Sequence, residues 1–281
     1  MHWKPFYIEE QVHIDTLFSM FIEKQPKGFR FPGETHDFWE CLYLLEGSAC
    51  ISADDRVYQL SEGDLIFHKP MELHQFHIDQ DPGASLLIFS FTLSGPRSGY
   101  FKNKVFHLTD EQKNILEELL QYVRTQVHPL ENLPDAKKEE QFLSTAQESP
   151  LYLHRIVTYL HQLLLSLGDT GSITRASTTS DALVFQQAVQ YMAAHIHTCP
   201  TVLEIAQHCS LSESGLKRLF AKYAGLSVHK YFLKLKFKTA GELLQNGMNV
   251  SEVSELLNFS SQSYFSVSFK RETGKNPSQL K

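Results

Sequence analysis

The end of the chain states one design twice, and that repetition limits the fold more than anything else in the sequence. "LEIAQHCSLSESGLKRLFAKYAG" and "VSEVSELLNFSSQSYFSVSFKRETG" align so that Ala206, Ser210, Leu216, Phe220 and Gly225 answer to Ser254, Asn258, Phe265, Phe269 and Gly274. The second copy carries one extra residue in its turn. Each copy reads as a short helix, a tight turn and a longer helix, the helix-turn-helix arrangement. A small residue, Ala206 or Ser254, lets the paired helices cross closely. The turn favours a residue that tolerates left-handed backbone, which Asn258 supplies and Ser210 supplies less well. Leu216, Leu219 and Phe220, and in the second copy Phe265 and Phe269, are placed to lock each second helix onto its support. Thr201 and Glu204 stand at capping-box spacing ahead of the first copy.

Between the copies, "SVHKYFLKLKFKTAGELLQNG" reads as a helix ended by Gly247, with Lys230, Lys234 and Lys238 on one stripe. Such a rod is expected to set the two second helices ~34 Å apart, one turn of duplex DNA. Charge agrees with a polyanion-facing tail. From Ser180 onward there are 11 Lys and Arg against 7 Asp and Glu, which leaves 15 against 25 in the rest of a chain of net charge −6. A basic module carried by an acidic partner follows.

The two regimes meet at residues 168–181, "GDTGSITRASTTSD", whose Gly, Ser, Thr and Asp content reads as a linker. Ahead of it, β-rich runs such as "ECLYLL", "DLIFH" and "SLLIFSF" alternate with turn signals up to about Phe106, as in a small antiparallel barrel or sandwich. Helices follow over about 109–167. Thr109 is placed to cap the first, whose stripe is Ile115, Leu116, Leu119, Leu120 and Val123. After a polar, Pro-containing loop comes a second, with Leu153, Ile156, Leu160, Leu163, Leu164 and Leu167, closed by Gly168. With 281 residues and 42% hydrophobic content, two domains are expected. The expected fold class is α+β: residues 1–167 as barrel plus trailing helices, 168–181 as linker, 182–281 as an all-α unit with two helix-turn-helix motifs. The apolar width of the second trailing helix points to a homodimer formed through that layer. No membrane span or secretory leader is read, so the cytoplasm is expected. The four cysteines, Cys41, Cys50, Cys199 and Cys209, have no paired spacing and read as reduced thiols.

Residues 180–281 resemble the DNA-binding domain of the AraC/XylS family of bacterial transcription regulators. The most specific part is "NFSSQSYFSVSFKRETGKNPSQLK", through Phe259, Ser263, Tyr264, Phe265, Phe269, Lys270, Gly274, Pro277 and Ser278; Ala240, Leu243 and Leu244 of the connecting helix match as well. The resemblance implies a sequence-specific binder of double-stranded DNA, more often an activator, that also meets RNA polymerase and is not an enzyme. Carried over by position, Ser212, Ser214, Lys217, Arg218 and Lys222 of the first copy would face DNA, with Arg218 placed for a bidentate guanine contact. In the second copy Ser261, Gln262, Ser263, Ser266 and Val267 would do so, with Lys270 and Arg271 on phosphates. Val267 stands where many relatives carry Arg or Lys, and a valine can touch a thymine methyl but cannot grip guanine.

The acidic half resembles the cupin barrel that usually precedes this DNA-binding domain. "ETHDFWECLYLLEG" and "GDLIFHKPMELH" correspond to the two cupin motifs, through Glu40, Gly47, Gly63, Pro70 and His74. On a strand, Glu34, His36, Phe38 and Glu40 share one face. Metal-binding cupins use three His and one Glu; here Glu34 replaces the first His, Glu72 stands in place of the usual Gly and Ile78 in place of Asn. A divalent metal on Glu34, His36, Glu40 and His74 therefore remains an alternative. The expectation is no cofactor and an organic effector, a carbohydrate first, near His36, Trp39, Glu40, Tyr43 and His74. The rival class is a metal-dependent cupin enzyme with a helical appendage. Another cluster, His195, His197, Cys199, His208 and Cys209, reads as structural filler, since His195 and His197 point to different sides of a helix.

Overall fold

A computed structural model describes residues 3–126, 149–169 and 179–280. Seven strands come first: β1 (Leu17–Gln25), β2 (Trp39–Ala53), β3 (Arg56–Ser61), β4 (Asp64–His68), β5 (His74–His77), β6 (Ala84–Phe91) and β7 (Val105–His107). Every pairing is antiparallel, in the order β1-β6-β2-β4-β7, with β3 and β5 also paired to β2. The 15-residue β2 serves two layers: Trp39–Gly47 pairs along β6, and Cys50–Ala53 pairs between β3 and β5. The strand changes layer at a bulge between Leu44 and Glu46, followed by Gly47 at φ 82°. A side chain on residue 47 would overlap the Gly83 carbonyl, so only glycine fits there.

Period-two alternation along β2 sorts its side chains into two cores. Leu42, Leu44 and Ile51 join Tyr58, Ile66 and Ile88 between the layers. Trp39, Cys41 and Tyr43 face the opposite way, against two helices, α1 (Asp110–Gln126) and α2 (Pro150–Asp169). α1 buries the five expected residues, from Ile115 to Val123, and begins where the Gln112 N–H donates to Thr109. α2 buries Ile156, Leu160, Leu163, Leu164 and Leu167 with Tyr152, each contributing ~1.5–3 kcal/mol of burial. Gly168 does not close α2, which runs on to Asp169; the Gly168 carbonyl accepts from Arg97 instead. The polar loop ahead of α2 and most of the linker read at 168–181 lie outside the described residues.

The tail folds as six helices: α3 (Ser180–Ala194), α4 (Val202–His208), α5 (Glu213–Tyr223), α6 (Val228–Gln245), α7 (Val250–Leu256) and α8 (Gln262–Thr273). Thr201 and Glu204 form the capping box of α4, and Asn249 with Glu252 forms its counterpart on α7. Ala206 and Ser254 are buried where each helix pair crosses. α6 is the expected rod, 18 residues or roughly 27 Å long, ended before Gly247 at φ 91°. Tyr231 near its start packs edge-on against Phe185 and Phe220, and Phe237 farther along meets Phe259 and Phe269. One helix is thus built into both helix-turn-helix cores. The buried Lys236 ties the rod to the second turn by donating to the Asn258 carbonyl at 3.3 Å. Among the described residues no helix is long and apolar enough to cross a membrane.

Candidate functional site

A cavity of about 410 Å³ opens between the strand layers. Phe18, Phe21, Phe31, Phe38 and Phe76 wall it, while Ser19, Glu34, His36, Glu40 and Ser90 supply its polar side. The short segment before β2 delivers His36, whose ring stacks on Phe38 at 3.9 Å, and β5 delivers His74. His74 Nε2 lies 3.3 Å from Glu40 Oε1 and 3.8 Å from Glu34 Oε1, and His36 Nε2 lies 3.7 Å from Glu40 Oε2. Ser90 Oγ donates to Glu40 Oε2 at 3.4 Å.

Hydrogen bonds behind the rings fix what they present. His36 Nδ1 faces the Phe38 carbonyl at 2.9 Å and His74 Nδ1 the Glu72 carbonyl at 3.0 Å, so each Nδ1 must donate. Both Nε2 atoms then point into the cluster, buried and without hydrogen-bond geometry to any partner. Burial raises the Glu40 carboxyl, but His36 and His74 outweigh it and hold it well below the ordinary carboxylate range. Burial lowers the His74 imidazole; the Glu34 and Glu40 carboxylates overcome that and carry it up to about 10. The cluster therefore requires positive charge between its two carboxylates, and a proton on His74 supplies it.

One atom from each of Glu34, His36, Glu40 and His74 falls within 4.8 Å of all the others. Two imidazole nitrogens and two carboxylates suit Mn, Fe, Ni or Zn, and a cation there would take the place of the His74 proton. The donor set thus fits a divalent metal as well as it fits hydroxyl groups. Among the described residues this is the one such group found, and the His195, His197, Cys199, His208 and Cys209 set is not a second. His195 Nδ1 bonds the Tyr191 carbonyl, His197 Nδ1 bonds the Leu256 carbonyl, and His208 stacks on Tyr191.

Of the five expected cavity residues, His36 and Glu40 line it, His74 is buried behind Glu34 and Glu40, and two are elsewhere. Trp39 and Tyr43 are close to Glu40 in sequence but opposite to it in strand parity, and both lie in the core against α1 and α2. Sequence reading missed His68 and Glu72, which back the cluster. The His68 ring stacks on His74 at 4.2 Å and its Nδ1 meets Glu72 Oε2 at 2.9 Å. Burial raises the Glu72 carboxyl, yet His68 and Lys69 hold it at about 2. The signal was available: Ile66 and His68 share an inward face, and Glu72 is the residue that breaks the second motif.

On the helical side, Ser214, Lys217 and Arg218 of α5 and Gln262, Ser263, Val267, Lys270 and Arg271 of α8 are exposed, while Ser266 is half-buried. Val267 leaves 69% of itself in solvent, high for an apolar side chain, and Tyr264 one turn earlier leaves 46%. Ser212 and Ser261 prove to be helix caps, accepting from the Gly215 and Tyr264 N–H groups at 3.1 Å. Lys222 is exposed as well. It sits in the last turn of α5, paired with Asp181 at 2.8 Å, and its carbonyl accepts from Arg30 of the barrel domain. Of the lysine stripe on α6, Lys234 pairs with Glu272 and Lys238 with Asp54 of the barrel domain.

Comparison with known proteins agrees with this geometry. Residues 205–281 match the model of a helix-turn-helix domain, and residues 19–95 match that of the AraC-like ligand binding domain. The HTH-type transcriptional regulator YfiF of Bacillus subtilis is 27% identical over 86% of this chain and 76% of its own. The Msm operon regulatory protein of Streptococcus mutans is 25% identical over 92% and 89%. The HTH-type transcriptional activator RhaR of Cronobacter sakazakii is 24% identical over 88% and 85%. With a ligand-binding barrel ahead of a double helix-turn-helix, the chain belongs to the AraC family of DNA-binding transcriptional regulators.

Proposed function

We propose that this regulator is a cytoplasmic activator, dimeric and not an enzyme, whose barrel cavity takes a small polyhydroxylated molecule, a carbohydrate first. The observation that carries the proposal is an acceptor-rich cluster, exposed at Glu34 and buried at His74, set against aromatic walls. Glu34 and Glu40 accept hydroxyl hydrogens, His36 Nε2 is buried with no hydrogen-bond partner of its own, and the phenylalanine faces cover C–H surface. That RhaR relatives are called transcriptional activators supports the sign of regulation. DNA is met through Ser214, Lys217 and Arg218 in one groove and Gln262, Ser263, Ser266 and Val267 in the next, with Lys270 and Arg271 on phosphates. RNA polymerase is the further partner such an activator requires.

Selection of binding sites from random duplex, followed by gel shifts at two salt concentrations, tests the DNA reading. A recovered motif whose preference over random sequence survives at higher salt supports it; binding that only tracks charge refutes it. A thermal-shift screen of sugars and polyols tests the cavity, because a ligand at 100 times its Kd adds ~2.7 kcal/mol.

The four converging ligand atoms also favour a second reading, a divalent cation held by Glu34, His36, Glu40 and His74. Elemental analysis of the purified protein and of His36→Ala separates the readings. Stoichiometric metal lost in the variant would favour the cation.

A further inference from the structure

The two halves meet in a polar seam that begins at one carboxylate. Asp54 occupies the β2–β3 turn at φ 50°. Its N–H donates to the Leu73 carbonyl at 2.8 Å, and its Oδ1 accepts from the Leu73 N–H at 3.1 Å. That leaves Oδ2 for two lysines from opposite halves: Lys69 at 3.1 Å from the barrel and Lys238 at 2.5 Å from α6. The Asp54 carbonyl accepts from the Tyr231 hydroxyl, also on α6, at 2.7 Å. Around this point Ser52 Oγ donates to the Tyr223 carbonyl, and Gln190 donates to Asp55. Cys50, Val57 and Leu73 of the barrel are buried in the same apolar cluster as Phe220 and Tyr231. A Cβ at Gly225 would stand 2.9 Å from Gln75 Oε1, so the approach is close.

The same carboxylate is connected to the cavity. Lys69 Nζ is shared between Asp54 and Glu72, Glu72 bonds His68, and His68 stacks on His74, which touches Glu40. We propose that Asp54 is a docking latch for the DNA-binding half, and that Lys69 makes the latch responsive to the charge at the cavity floor. This rests on the reading of the barrel cavity as the effector site. Lys69 and Lys238 crowd one carboxylate and repel each other. Glu72 relieves that repulsion by holding Lys69 back. A change at Glu40 or His74 that weakens the hold of Glu72 on Lys69 delivers more positive charge to Asp54 and loosens Lys238. The exposed faces of Arg218 and Gln262 stay open while the seam is closed. The latch therefore sets where the two recognition helices point relative to the barrel, and does not cover them. Both states of such a coupling must differ in their contacts, and the Lys238–Asp54 pair is the contact that differs.

The seam contains its own reporter. Cys50 is 8% exposed and lies against the helical half, whereas Cys41 is fully buried inside the barrel domain. Alkylation of the native full-length chain by iodoacetamide, read peptide by peptide, measures undocking at Cys50 with Cys41 as the fold control. Lys238→Met and Asp54→Asn are expected to raise the Cys50 rate at least about tenfold with Cys41 unchanged. Glu72→Gln should raise it at least about threefold, and Lys69→Met should lower it, because the two changes alter the positive charge at Asp54 in opposite directions. A Cys50 rate within twofold of wild type in Lys238→Met overturns the latch. Equal rates in Glu72→Gln and Lys69→Met overturn its link to the cavity. Should Glu72→Gln expose Cys41 as well, Lys69→Met alone decides, and a rate that rises there refutes the link. None of these readings depends on DNA, so a failed site selection and a failed latch are distinguishable.

Discussion

Ser210 and Asn258 occupy the same backbone conformation in the two helix-turn-helix turns, at φ 55° and φ 54°. Both follow a short supporting helix, and the left-handed conformation costs an ordinary L-residue ~1–2 kcal/mol. Asparagine offsets part of this through its local hydrogen bonding, and serine offsets less. Ser210→Gly is therefore expected to stabilise the helical half by ~0.5–1 kcal/mol, while Asn258→Val destabilises it by ~1–2 kcal/mol. Urea denaturation followed at helical wavelengths checks both signs.

Trp39 lies in the core beneath α1 and α2, with its neighbour Glu40 on the cavity side. Trp39→Ala should cost ~3–5 kcal/mol as a large core truncation. Trp39→Phe should leave any ligand-induced thermal shift intact, whereas Phe38→Ala should diminish it. Parallel melts with and without the best ligand from the sugar screen distinguish a core role from a cavity role.

This division explains how far the sequence could be read. The helical repeat was legible because each of its parts is local: caps, a left-handed turn residue, and apolar residues at helical spacing. One extra turn residue was visible as a shift in alignment, and it appears as five residues between α7 and α8 against four between α4 and α5. Glu34, His36, Glu40 and His74 were brought together by motif, and strand parity placed Glu40 correctly. The same parity would have sent Trp39 and Tyr43 to the other face had it been applied to them. The phenylalanine walls come from β1, β5 and the segments between strands, so no spacing within one element announces them. Lys238 belongs to the seam because Asp54 reaches it from a distant part of the chain, as Arg30 reaches the Lys222 carbonyl. Pairing at such separation leaves no periodic trace.

The ionic cluster predicts a pH dependence. The folded value for His74, about 10, lies above its ordinary 6.5. Its contribution to stability is then fully present below pH 6.5 and is lost as pH rises through 10. Glu40 runs the other way, contributing above its ordinary 4.5 and losing that contribution only well into acid. At pH 7 His74→Asn should melt below wild type, and the gap should close as pH approaches 10. Calorimetric scans of both proteins across that range check it; a gap that stays constant contradicts the assignment.

Arg218 and Lys270 are both exposed cations on recognition helices, but they are assigned different work. Arg218→Ala should relax preference at one base pair by ~1–3 kcal/mol, roughly fivefold to 150-fold. Lys270→Ala should weaken all sequences alike and reduce the salt slope by about one counterion. Competition gel shifts against single-substituted duplexes at several salt concentrations separate a base contact from a phosphate contact.

Val267 gives the sharpest test of how the second helix reads DNA. Its side chain projects from α8 with Ser263 and Tyr264 one turn before it and the exposed Lys270 and Arg271 one turn after it. A valine contributes only apolar contact in the major groove, which the thymine methyl rewards and the polar edges of guanine and cytosine do not. The half-site under α8 should accordingly recover A·T at the base pair facing Val267, while the half-site under α5 recovers G·C facing Arg218. Val267→Arg places a guanidinium fork at that position and should move the preference there from A·T toward G·C, leaving the α5 half-site unchanged. Because Val267 is exposed and its loss opens no cavity, the variant should melt within ~0.5 kcal/mol of wild type, so a change in the selected motif is attributable to readout. A motif identical in wild type and Val267→Arg would show that α8 does not insert its outer face into the groove.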